Sequence, residues 1–103
     1  MESPIKPIIV PYDFTPVADN ALLHAVQFAN ASGSDIILLH IAASESDNDE
    51  KLKQLEKVAQ EVTDKHAVET DAVVREGDIF KTIKTFANDL DAIMVIMGTH
   101  GIR

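Results

Sequence analysis

Asp91-Ala-Ile-Met-Val-Ile-Met97 running into Gly98-Thr-His-Gly101 is the stretch on which the fold turns. The apolar run from Ala92 to Met97 has no polar break, the pattern of a strand covered on both faces of a parallel sheet. The two glycines behind it suit a turn that brings backbone amides up to a ligand, since glycine takes positive φ and admits close approach. A strand of this kind needs a helix before it and partners beside it.

Both are legible on working back along the chain. Gly77-Asp78 turns and caps a helix that carries Ile79, Ile83, Phe86, Ala87 and Leu90 inward. Val68-Glu-Thr-Asp-Ala-Val-Val74 reads as a third strand whose polar first half belongs at a sheet edge. Ahead of it, Leu52, Leu55, Val58, Ala59 and Val62 share one side of a helix, and Asp49/Lys53 and Glu61/Lys65 stand in the favourable acid-first order. The polar run Ser44-Glu-Ser-Asp-Asn-Asp49 is the loop and helix start. Asp35-Ile-Ile-Leu-Leu-His-Ile41 is a second strand, nearly continuous in apolar residues. Ile8-Ile-Val10, bracketed by Pro7 and Pro11, is the first, with proline confined to its ends. Between these two, Thr15-Pro16 supplies an N-cap and a proline at the first helical position, Asp19 favours the dipole, and Gly33 stops the helix. Ala18, Leu22, Ala25, Val26 and Ala29 form its apolar face.

Strands alternating with helices define an α/β domain with a doubly wound, open parallel sheet of Rossmann-like type. The most apolar strands, first and fourth, are expected as neighbours, giving the order 3-2-1-4. The ligand crevice of such a sheet lies outside the carboxyl ends where the chain reverses direction across it. Here Pro11-Tyr-Asp13 and Gly98-Thr-His-Gly101 line it. Residues 1–103 read as a single domain without repeat or linker. It is expected to be incomplete at its C-terminus, because a further helix and a fifth strand should follow the glycine turn.

Composition removes whole classes of function. A chain of 103 residues supports one core. The absence of cysteine excludes disulfides, Cys-based zinc sites and thiol nucleophiles, and fits a reducing cytoplasm. No leader pattern opens the chain and no apolar run approaches the ~20 residues of a membrane span, so neither export nor a membrane is expected. A net charge of −8 leaves no electrostatic footprint for nucleic acid. The acid is uneven, however. Asp47, Asp49, Glu50, Glu56, Glu61 and Asp64 crowd the middle, whereas from Ala92 onward there is no carboxylate side chain, so an anion meets least repulsion at the C-terminal end.

Specific residues follow. Gly98 and Gly101 are candidates for close approach of backbone to phosphate, helped by a following helix N-terminus. Asp13 offers a carboxylate to Mg²⁺ on a nucleotide, a cation that takes one or two protein oxygens and fills the rest with water and phosphate; an Asx turn at the strand end is the structural alternative for the same residue. His100 and Arg103 are candidates to pair with phosphate oxygens. His40 reads as a core-edge histidine bonded to backbone, and His24 and His66 fall on separate helices without metal-ligand spacing. Met94 and Met97 read as packing residues. No Gly-x-Ser-x-Gly elbow and no nucleophile-base-orienter series is present, so any hydrolysis is expected to be slow at most.

Taken together, Val10-Pro-Tyr-Asp-Phe-Thr15, Leu38-Leu-His-Ile41, Gly77 with Ile83, and Met97-Gly-Thr-His-Gly101 resemble the universal stress protein family, in register along the whole chain. The resemblance implies a cytoplasmic stress-response domain, commonly dimeric, with ATP-binding and non-binding members. It implies that Asp13 lies near the nucleotide and its metal, that Pro11 and Ile41 flank the adenine, and that Met97 and Gly98 border the base. Gly98 and Gly101 match the first half of the family's Gly-x-x-Gly-x9-Gly-(Ser/Thr) phosphate loop. The second half is not in this sequence, nor is the last strand through which many members dimerise.

Two functions fit these residues. One is a stress-response regulatory domain that binds ATP with Mg²⁺, or another adenine nucleotide, in a form continuing past Arg103. The other is a nucleotide-independent dimerisation or protein-interaction module of the same fold. An ATP-pyrophosphatase-type enzyme is disfavoured, because Pro-Tyr-Asp-Phe-Thr after the first strand is not a Ser- and Gly-rich phosphate loop. The apolar fourth strand is expected to need a cover on its outer side, from a fifth strand or from another chain in a homodimer or larger homo-oligomer.

Overall fold

A computed structural model describes residues 6–42 and 48–98. The elements run β1 (Ile8–Pro11), α1 (Pro16–Ser32), β2 (Ile36–Ala42), α2 (Asn48–His66), β3 (Thr70–Glu76), α3 (Ile79–Asp89) and β4 (Met94–Val95). The sheet order is β3-β2-β1-β4, and every pairing is parallel. This is the doubly wound α/β sheet that the alternation of patterns predicts.

Parity along the strands sorts the two cores. Ile8, Val10, Ile36 and Leu38 point to the face covered by α1 and α2, where they meet Leu22, Ala25, Val26, Leu55, Ala59 and Val62. Ile9 and Leu39 point the other way, toward Ile83 of α3, with Phe86, Ala87 and Val95 packed around them. Both faces of β1 are therefore buried, which is why its sequence shows no alternation.

Local signals set the helix ends. The Thr15 side chain accepts from the Ala18 N–H at 3.3 Å, Pro16 opens α1, and Gly33 ends it at φ 73° with its N–H on the Ala29 carbonyl. Asp78 caps α3 by accepting from the Lys81 N–H at 3.0 Å.

The structure departs from the sequence expectation at the later elements. β3 begins at Thr70 and not at Val68, because Ala67 takes φ 57° and the chain enters the sheet only after that turn. β4 is far shorter than the apolar run: Asp91 lies at φ 52° in the turn that ends α3, where its carboxylate meets Lys6 at 3.3 Å. Backbone bonds nevertheless hold the segment to β1 beyond the strand proper, from Ile93 to the Pro7 carbonyl and from Ile96 to the Ile9 carbonyl. Ile79 and Leu90, expected inward, are 45% and 40% exposed. Among the described residues α3 is the one helix on its face, so apolar residues at its margins lack a neighbour.

Candidate functional site

The crevice opens where β1 hands the chain to opposite sides of the sheet. A cleft of about 140 Å³ there is lined by Pro11, Tyr12, Asp13, Val17, Ala18, Leu39, His40, Ile41, Ile79, Met97 and Gly98. Five residues singled out from the sequence, Pro11, Asp13, Ile41, Met97 and Gly98, thus lie around one concavity. His100, Gly101 and Arg103 lie outside the described residues.

The turn after β1 fixes the cleft's acidic corner. Asp13 Oδ1 accepts from the Thr15 N–H at 3.2 Å and from the Thr15 hydroxyl, an Asx turn joined directly to the N-cap of α1. Phe14, between them, takes the left-handed conformation at φ 64°, unfavourable for a bulky residue. Its ring is held by edge contacts to Tyr12 and His40, centroids 5.1 and 5.2 Å away, and by Lys51 Nζ 5.1 Å above it. His40 Nδ1 lies 2.9 Å from the Tyr12 carbonyl, so β2 grips the same turn. The carboxylate therefore stands on an anchored backbone. Among the described residues no group of three or more His, Asp or Glu forms a ready-made cation cage. A cation at Asp13 would be one that brings its own ligand oxygens, as nucleotide-bound Mg²⁺ does.

Tyr12 also lines the cleft, and its phenol donates to Asp19 Oδ1 on α1. Burial, reinforced by the adjacent Asp19 carboxylate, pushes its pKa well above the usual tyrosine range.

Gly98 meets a steric constraint that its sequence context does not show. Among the described residues the glycines at positive φ are Gly33 and Gly77, not Gly98. A Cβ at position 98 would collide with the Val17 side chain and lie 2.5 Å from the Val17 carbonyl oxygen. Position 98 is thus the point where the end of β4 passes directly against the first turn of α1, and only glycine fits.

Leu39, Val17, Ala18 and Ile79 also line the cleft and were not singled out from the sequence. Leu39 is two residues before Ile41 on the same face of β2, so strand parity does signal it. Ile79 reads as a core position because its apolar spacing matches that of Ile83.

An open α/β sheet with a concavity at its switch point is the architecture of a small-molecule-binding domain. The universal stress protein family model matches residues 4–103, and the chain belongs to that family. A universal stress protein from Archaeoglobus fulgidus DSM 4304 superposes with a TM-score of 0.76 at 23% identity, covering 95% of this chain and 34% of its own. The universal stress protein from Archaeoglobus fulgidus in complex with dAMP gives 0.76 at 16% identity, over 90% of this chain and 79% of its own. A universal stress protein in complex with cAMP gives 0.70 at 16% identity, over 91% and 76%. This chain spans about a third of the length of the first of these. At such identities the likeness is one of fold. No curated protein matches the sequence.

Proposed function

We propose that this is a stress-response regulatory domain that binds an adenine nucleotide, with ATP and Mg²⁺ the favoured form, in the cleft between the turn after β1 and the end of β4. The observation that carries the reading is the convergence of Pro11, Asp13, Ile41, Met97 and Gly98 on one concavity at the switch point. Two relatives of the same fold are complexes with dAMP and cAMP, ligands that share adenine and a single phosphate. In the proposed arrangement Pro11, Ile41 and Met97 enclose the base, and Asp13 holds the cation on the phosphates. His100, Gly101 and Arg103 are the proposed phosphate-side residues. The cleft is small beside the ~300–1,000 Å³ of most ligand sites, which suits enclosure of the base with the phosphates reaching outward.

The remaining parts of the proposal are a single domain over residues 1–103, a cytoplasmic location, and assembly as a homodimer or larger homo-oligomer, without nucleic acid or membrane partners. The outer side of β4 is unpaired among the described residues, beside Ile93 at 45% and Met97 at 38% exposure. A further strand or another chain is proposed to cover it. No described helix is long and apolar enough to cross a membrane.

Calorimetry with ATP, AMP and GTP, with and without Mg²⁺, tests the ligand. Asp13→Asn keeps a side-chain acceptor for the Asx turn and removes the charge. It should weaken Mg²⁺-ATP binding about tenfold while leaving AMP binding within about twofold, in line with the loss of one carboxylate ligand. Equal binding of ATP and GTP would contradict the adenine preference, and no binding of any nucleotide would contradict the reading as a whole and favour the nucleotide-independent interaction module.

A further inference from the structure

β3 closes the sheet on the side away from β4, and among the described residues no strand pairs its outer edge. The ladder fixes which backbone groups point outward. Ile36 donates to the Glu69 carbonyl at 2.9 Å and Gly77 donates to the Ala42 carbonyl at 3.3 Å, so the odd-numbered residues of β3 face β2. Backbone groups alternate sides along a parallel ladder, which leaves the N–H and C=O groups of Thr70, Ala72, Val74 and Glu76 facing outward. One of these is answered from within: Arg75 Nη1 donates to the Val74 carbonyl at 3.1 Å, and its guanidinium carbon lies 5.5 Å from the centre of the Phe86 ring. Arg75 thus satisfies one outward carbonyl of the edge from within its own strand.

The edge is complementary to itself in reverse. In an antiparallel pairing about a two-fold axis at Val73, Thr70 meets Glu76 and Ala72 meets Val74. All four are outward-facing residues, so each pair exchanges two backbone bonds. Asp71 then stands opposite Arg75 on both sides of the axis, in the non-hydrogen-bonded positions where side chains come closest. Both are exposed. Moving the register by two residues in either direction sets Asp71 or Arg75 against Val73 and shortens the ladder. The same axis brings the Lys81 end of one α3 toward the Asp89 end of the other, two residues that line the groove beside β3.

We propose that the β3 edge is a self-association surface and that its occupant is a second copy of this chain, paired antiparallel about Val73 into one continuous sheet. On pairing, the Ala72 N–H of the second copy replaces the Arg75 guanidinium at the Val74 carbonyl, and the released guanidinium turns to the facing Asp71. Arg75 covers the edge in the free chain and bonds across it in the pair. The surface is separate from the cleft and from the β4 edge.

The chain has no cysteine, so Val73→Cys places one thiol on each side of the axis. A Cα separation of about 4.5 Å at a non-hydrogen-bonded pair lies within disulfide range. Under mild oxidation this variant should form a covalent dimer, whereas Leu23→Cys, exposed on α1, should not. In sedimentation, Asp71→Arg or Arg75→Asp alone should weaken association about tenfold, by setting like charges opposite each other at two places. The double reversal should return it to within about threefold of the parent. The proposal is overturned if Val73→Cys cross-links no faster than Leu23→Cys, if the double reversal associates as weakly as either single one, or if the parent chain stays monomeric at high concentration.

Discussion

Gly98 and Tyr12 each do something that their sequence neighbourhood does not announce. Because a Cβ at position 98 would strike Val17, Gly98→Ala should destabilise the fold by about 1–3 kcal/mol through overpacking. Urea denaturation reads this directly, and an unchanged midpoint would show that the contact relaxes freely. The same collision makes Gly98→Val a poor test of nucleotide binding, since it disturbs the first turn of α1 whether or not phosphate lies nearby. Tyr12 is the chain's single tyrosine and there is no tryptophan, so its ultraviolet titration is unobstructed. Its folded pKa is raised by burial and by Asp19, so the stabilisation it contributes is fully present below the unfolded value of about 10 and is lost as pH rises beyond it. Phenolate should therefore appear only well above pH ~10 in the folded chain. The alkaline fall in melting temperature should be smaller in Tyr12→Phe. A phenolate signal at the ordinary tyrosine pH would contradict the burial of the Tyr12 ring and its bond to Asp19.

At the scale of elements, what could be read from sequence follows from how local the cause is. The caps at Thr15 and Asp78 and the stop at Gly33 depend on residues within one turn, and all three stand where the sequence places them. Thr15→Ala should cost about 1 kcal/mol in chemical denaturation, more than an exposed Thr85→Ala in mid-helix. No difference between the two would mean the cap is already satisfied by other groups. The ends of β3 and β4 could not be read in this way. Ala67 and Asp91 adopt positive φ without being glycine where each helix returns to the sheet; aspartate tolerates that conformation, but at Ala67 no side-chain signature announces it. The unbroken apolar run of β4 promised burial on two faces, yet pairing by ladder is confined to Met94 and Val95. Hydrophobicity records what a segment packs against, not where its ladder stops.

At the scale of the whole molecule, alternating apolar periods were enough for the order β3-β2-β1-β4, and that order places the turn after β1 beside the end of β4. The concavity follows from topology, which is why the strand order alone points to Pro11, Asp13 and Gly98, whereas Ile41 and Met97 are legible only through the resemblance to the universal stress protein family. Val17 and Ile79 were missed because they reach the cleft from helix N-termini, by tertiary packing that apolar spacing does not distinguish from ordinary core. This cleft, and no other surface, is proposed to receive an adenine nucleotide. Amide chemical-shift mapping of the labelled chain during titration with ATP and Mg²⁺ tests it most directly, because it registers weak as well as tight binding residue by residue. Shifts are expected at Tyr12, Asp13, Ile41, Met97 and Gly98, with the β3 edge at Asp71 and Arg75 unmoved. Shifts centred on β3 and α3, or none at saturating nucleotide, would contradict this proposal.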